Sequence, residues 1–132
     1  MVSMTPKTPP GSVFDAVGGM AFFTTLVDRF YEGVESDTRL RPMYPSDLSN
    51  ARHHMTLFLA QYWGGPTTYN DERGHPRLRM RHFPFEIGVV ERDAWLEHMT
   101  AAVKQAELAS ELEQVMLQYF DNAAAHLVNQ PG

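Results

Sequence analysis

The stretch MAFFTTLVDRFYEGVE, residues 20–35, decides what kind of fold this chain can adopt. Its apolar residues Phe23, Leu26, Val27, Phe30, Tyr31 and Val34 recur at three- and four-residue spacing. That spacing lines one face of a helix and cannot line one face of a strand. Working outward, Ser12 is placed to cap a short helix carrying Val13, Phe14 and Val17, which stops at Gly18-Gly19. Asp37 is a candidate cap for a short turn through Leu40 to Pro42, and MYPSD (43–47) reads as loop. A third helix is expected to run to Tyr62 or Trp63, with Leu48, Ala51, Met55, Phe58, Leu59 and Tyr62 in its stripe. GGP (64–66) ends it. A fourth helix begins near Val89 and carries Val90, Ala94, Trp95, Met99, Ala102 and Val103. A fifth spans about 109–128, with Leu112, Val115, Met116, Tyr119, Phe120, Ala123 and Leu127 in its stripe. Residues 66–86 hold three prolines and little periodicity, which makes them longer than a connector needs to be and a candidate functional loop. Strand signals are scarce, so the fold class is all-α.

The length of 132 residues suits one domain. Residues 1–12 are rich in Pro, Ser and Thr and read as a disordered N-terminal arm, leaving 13–130 as a single domain. The absence of cysteine excludes disulfides, thiolate metal sites and thiol nucleophiles, and fits a cytoplasmic setting. No apolar run approaches the ~20 residues that span a bilayer, so membrane insertion is not expected. Eleven Lys plus Arg stand against 16 Asp plus Glu, a net charge of −5 that argues against nucleic-acid binding.

Against that acidic background, GHPRLRMRHFPF (74–85) gathers Arg77, Arg79 and Arg81 in front of His82, followed by Phe83 and Phe85. Such a cluster faces an anion. One axial imidazole beside an apolar wall, with cations at its rim, fits a haem, whose iron needs one nitrogen and whose carboxylates need positive partners. A solvated charged face is the competing reading. Among the other histidines, His53 and His54 are adjacent, so a helix points them about 100° apart and they are poorly placed to share a metal. His98 and His126 fit solvent exposure or a satisfied hydrogen bond. No H-E-x-x-H pattern, nucleotide loop or catalytic triad stands out. Tyr31 and Trp95 lie on apolar helix faces and Tyr44 lies in a loop, and a buried Tyr or Trp needs a partner for its polar tip. Converging, the three would form a hydrogen-bonding cage; separately, each is core filler with a locally satisfied tip.

Five motifs, in order and at suitable distances, carry a family resemblance: FDAVGG (14–19), RFYEGV (29–34), QYWGGPTTY (61–69), RGHPRLRMRHFPF (73–85) and ERDAWL (91–96). From Phe14 to about Asn129 the chain resembles the truncated haemoglobins, in the group II branch found in actinobacteria. The resemblance implies a shortened globin, a two-over-two α-helical sandwich around haem b (iron protoporphyrin IX) with a largely unwound proximal segment. It implies that His82 is the proximal iron ligand and that Tyr31, Tyr44 and Trp95 are the polar distal residues. Ala51 falls where many globins carry a distal histidine. Met55 and Phe58 would wall the distal side, with Phe85 also lining the pocket. Tyr69, Arg77 and Arg81 match positions near the haem propionates, and His54 stands where relatives often carry a longer cation toward the same groups. The implied function is reversible binding of O2, and of CO and NO, in a polar pocket suited to retention. An alternative is a haem redox enzyme such as a nitric oxide dioxygenase or peroxidase. It would need a partner reductase, because the chain has no flavin motif. From another class comes a helical module that binds an acidic partner through residues 73–81. A homo-oligomer is compatible with each.

Overall fold

The computed structural model describes residues 12–77, 82 and 86–129. Residues 1–11 of the expected arm, and Arg79, Arg81, Phe83 and Phe85 of the basic segment, lie outside the described residues. The helices are α1 (Val13–Val17), α2 (Met20–Glu35), a 3-10 turn (Arg41–Met43), α3 (Ser49–Tyr62), α4 (Thr68–Arg73), α5 (Val89–Gln105) and α6 (Ser110–Leu127). No strand occurs among the described residues. α2 packs on α3 and on α5, and α5 packs on α6. The result is two helix pairs joined through α2 and α5.

Gly18 and Gly19, with φ of 111° and 72°, turn α1 into α2. Both lie in the left-handed region, which residues carrying a Cβ enter only at a cost. The face of α2 anticipated from spacing is the buried one: Phe23, Leu26, Val27, Phe30, Tyr31 and Val34 are all in the core. Phe14 stacks on Phe23 with centroids 6.0 Å apart, Phe23 stacks on Trp63 at 6.0 Å, and Trp63 meets Phe120 edge-on at 5.6 Å. This ring cluster joins α1, α2, α3 and α6 by burying large apolar areas in offset and edge geometries.

Three expectations need correction. Ser12 flanks α1, but its side chain makes no cap; its hydroxyl donates to the Trp63 carbonyl at 3.3 Å, beside the Phe14 N–H at 2.9 Å. A tertiary partner has taken the group that a cap would use, and so fastens α1 to the end of α3. Residues 66–86 are less irregular than their composition suggests, because α4 forms within them. Its support is tertiary. The Gln61 amide donates to Asn70 Oδ1 and accepts from the Asn70 N–H, each at 3.0 Å, while buried Tyr69 sets its ring edge-on to Phe58 at 5.6 Å. Finally, Tyr62, Val90 and Val115 were placed in apolar stripes, yet each is about half exposed. Tyr62 lies against Tyr119 at 4.2 Å between centroids, with its outer face in solvent.

Candidate functional site

The loop after α2 and the helix α5 each deliver one polar aromatic residue, and Asp37 ties them together. Its Oδ1 accepts from the Arg39 N–H at 2.8 Å and from Arg39 Nε at 3.0 Å. Its Oδ2 receives Arg39 Nη2 at 2.6 Å and His98 Nε2 at 2.6 Å. The anticipated turn cap is thus also a cross-link from the loop to α5, and His98 is a hydrogen-bonded histidine as expected. The His98 ring lies so close to Gly33 that a Cβ there would collide with it. Arg41 completes the loop by donating to the carbonyls of Tyr44 (3.3 Å), Pro45 (2.9 Å) and Ser46 (2.8 Å). Tyr44 and Trp95 are therefore held in fixed relation from opposite sides of one carboxylate.

The hydrogen bonds from Arg39 and His98 hold the Asp37 carboxyl well below the usual carboxylate range. A depressed native pKa contributes stability above the unfolded-state pKa, which is lost as pH falls toward the native value. Asp37→Asn is therefore expected to lower the melting temperature at neutral pH. The deficit should shrink as pH drops below about 4, where the wild-type carboxyl of the unfolded chain takes up its proton. Thermal unfolding of both proteins from pH 7 to pH 3 checks this, and parallel curves would contradict it.

Between the helix pairs lies a cavity of about 520 Å³, within the roughly 300–1,000 Å³ usual for small-molecule and cofactor sites. Tyr31 of α2, Tyr44 of the loop, Trp95 of α5 and His82 all border it. Ala51, Met55 and Phe58 of α3 and Tyr69 of α4 form one wall. Tyr119, Phe120, Ala123 and Leu127 of α6 form another. These α6 positions had the spacing of core filler, and nothing in periodicity separates a residue that walls a cavity from one that fills a core.

The convergence that sequence left open does occur for the two phenols. Tyr31 and Tyr44 meet edge to face at 5.6 Å between centroids. Burial pushes Tyr44 up to about 12, offset in part by the neighbouring Tyr31 hydroxyl. Burial raises Tyr31 further still, helped by Tyr44 and opposed by Arg52. Arg52 lies 5.7 Å over the Tyr31 ring and is paired with Asp28 at 2.9 Å. Both phenols stay protonated at physiological pH and keep their donors. Trp95 is held between Phe30, at 5.2 Å, and Phe120, at 5.8 Å.

His82 is positioned by the far end of the chain. The Asn129 side-chain amide donates to the His82 carbonyl at 3.5 Å, while Asn129 and Ile87 bond each other through Ile87 N–H to Oδ1 and Asn129 N–H to Ile87 O, both at 2.8 Å. No sequence signal marked Asn129 for this role. At another edge of the cavity stand His54, Tyr69 and Arg73, with Arg73 Nη1 donating to His54 Nδ1 at 3.2 Å. Arg92, beside Trp95, borders the cavity as well. Arg73 and Arg92 were not singled out from sequence. Arg77, which was, is exposed and does not border the cavity, with a backbone φ of 47°. An apolar slot with an imidazole on its wall, cations at its rim and three aromatic donors fits the needs of a macrocycle bearing iron and two carboxylates.

The family model described as bacterial-like globin matches residues 12–129. Group 2 truncated hemoglobin YjbI of Bacillus subtilis is 41% identical over 117 residues, covering 89% of this chain and 88% of that protein. Among solved structures, a hemoglobin from the actinobacterium Thermobifida fusca superimposes with a TM-score of 0.90 at 55% identity, covering 92% of this chain and 99% of that one. A truncated oxygen-avid haemoglobin from Bacillus subtilis gives 0.85 at 39% identity, covering 90% and 100%. The two helix pairs are thus in the two-over-two arrangement of the truncated globins.

Proposed function

Because the chain belongs to the bacterial-like globin family, and within it to the group 2 truncated haemoglobins, we propose that it holds haem b in the cavity and binds and retains O2 there. Haem b is the cofactor of this family. It supplies a ferrous iron that takes up a diatomic ligand with charge shifted onto that ligand. The chain's own residues do the rest. His82 would supply the imidazole that holds the iron, with its backbone held by Asn129. Tyr31, Tyr44 and Trp95 donate hydrogen bonds on the distal side. Ala51, Met55 and Phe58 exclude water, with Phe85 assigned to the same lining from sequence. His54, Tyr69 and Arg73 face the carboxylates; Arg77 and Arg81 stay assigned to those groups from sequence alone.

The observation that carries this reading is that Tyr31, Tyr44, Trp95 and His82, scattered over 65 positions of the chain, border a single cavity. Donors aimed at a ligand that gathers negative charge stabilise it electrostatically without having to reorganise. With three donors available, the pocket is built for holding oxygen rather than releasing it quickly. CO and NO compete for the same site. A separate reductase would keep the iron reduced. No helix among the described residues is long and apolar enough to cross a membrane.

The deciding measurement is the visible absorption spectrum of the reduced protein before and after oxygen is admitted. A five-coordinate ferrous spectrum converting to a stable oxygenated form is expected. A protein with no haem bands after haem is supplied would return residues 73–81 to the reading of a docking segment for an acidic partner.

A further inference from the structure

Away from the iron-ligand position, three metal-ligating side chains meet on the outer surface of α3 and α4. His53 and His54 lie in mid-α3, and Glu72 lies in the last turn of α4. One ligand atom from each comes within 4.8 Å of the other two. His53 Nε2 is 3.0 Å from Glu72 Oε1, and the two imidazole rings are 5.4 Å apart between centroids. The 100° between neighbouring helix positions argued against a shared metal, but it counts only α3. The third ligand arrives from α4, held in place by the Gln61–Asn70 amide pair.

We propose that His53, His54 and Glu72 form a surface site for a divalent transition metal, Zn²⁺ or Cu²⁺. Two neutral imidazoles and one carboxylate are the donor set these borderline ions prefer, and Ca²⁺ and Mg²⁺ prefer all-oxygen sites. Metal–ligand bonds of about 2.0–2.2 Å place tetrahedral ligands roughly 3.3–3.5 Å apart. The His53–Glu72 pair at 3.0 Å is near that spacing, and the other separations, within 4.8 Å, require only small side-chain adjustments. His53 and Glu72 are about half exposed, and their rotamers are free to make them. Three protein ligands leave a fourth position to water. Arg73 Nη1, at 3.2 Å from His54 Nδ1, is the competing cation. Metal binding must therefore move the Arg73 guanidinium off His54. The site lies away from the iron-ligand position. It shares His54 and Arg73 with the edge of the cavity assigned to the haem carboxylates, so the titration is run on haem-free and haem-loaded protein alike.

Calorimetric titration of the intact protein with zinc sulfate tests it. One saturable Zn²⁺ site is expected, weakened at least tenfold by His53→Gln and by Glu72→Gln. Arg73→Gln should act in the opposite direction and tighten binding several-fold. Cu²⁺ added at one equivalent should give an electron paramagnetic resonance spectrum with two coordinated nitrogens, reduced to one in His53→Gln. Zn²⁺ affinity unchanged in both ligand variants, or weakened in Arg73→Gln, would overturn the assignment.

Discussion

Protein free of haem is the expected product of the His82→Ala substitution. On the proposed reading, every other group bordering the cavity would contribute contact or a hydrogen bond, and the imidazole a bond to the metal. A ligand that binds only the folded chain stabilises it by about 2.7 kcal/mol for each hundredfold excess over its Kd. Loss of tight haem binding should therefore also lower the melting temperature toward that of the apoprotein. His82 is only half-buried, so the substitution opens little void in the core and the apoprotein should still fold. Imidazole added to the buffer should then enter the space left by the side chain and partly restore haem uptake, which a merely structural role would not allow. Stoichiometric haem binding by His82→Ala with a native spectrum and no added imidazole would show that the axial ligand lies elsewhere.

Trp95→Phe should release oxygen roughly 10- to 100-fold faster. A hydrogen bond to a charged acceptor is worth about 1.5–3 kcal/mol, and ~1.4 kcal/mol is a factor of ten in a rate or equilibrium. Phenylalanine keeps a ring between Phe30 and Phe120 and removes the N–H, so the comparison isolates the donor. Tyr31→Phe should act in the same direction. The effects should not be additive, because Phe30 touches both Tyr31, at 5.0 Å, and Trp95, at 5.2 Å. A double-mutant cycle in oxygen dissociation, followed by stopped flow, measures that coupling. With Tyr44 ionising only near 12 and Tyr31 higher, the wild-type rate should be flat from neutral to mildly alkaline pH. A Trp95→Phe rate equal to wild type would remove the indole from the set of donors.

The long helices were legible because each buries a continuous stripe. α2 is bounded as its spacing predicts, α5 begins where expected, and α6 begins and ends within about one residue of expectation. α4 was not legible: Thr68–Arg73 contains one buried residue, Tyr69, and owes its shape to Gln61 in another helix. The candidate site divides in the same way. His82, Tyr31, Tyr44, Trp95, Ala51, Met55, Phe58, Tyr69 and His54 were named from the family resemblance, and all border the cavity. Arg73 and Arg92 escaped notice because a surface arginine has no periodicity and its reach depends on the backbone that carries it. Asn129 escaped because its value lies in which segment it touches, 47 residues back.

That last contact gives Asn129 a part in how His82 is held, and so, if His82 binds the iron as proposed, in how long the cofactor stays. A globin usually guards its iron from the inside, by packing around the ring. Here a latch is an amide just past α6, bonded to the backbone of His82 and of Ile87. Trimming the chain before residue 129, or attaching a bulky fusion hard against it, would spare every pocket residue. Its expected effect is faster haem loss to an acceptor protein, with the melting temperature of the haem-free chain little changed.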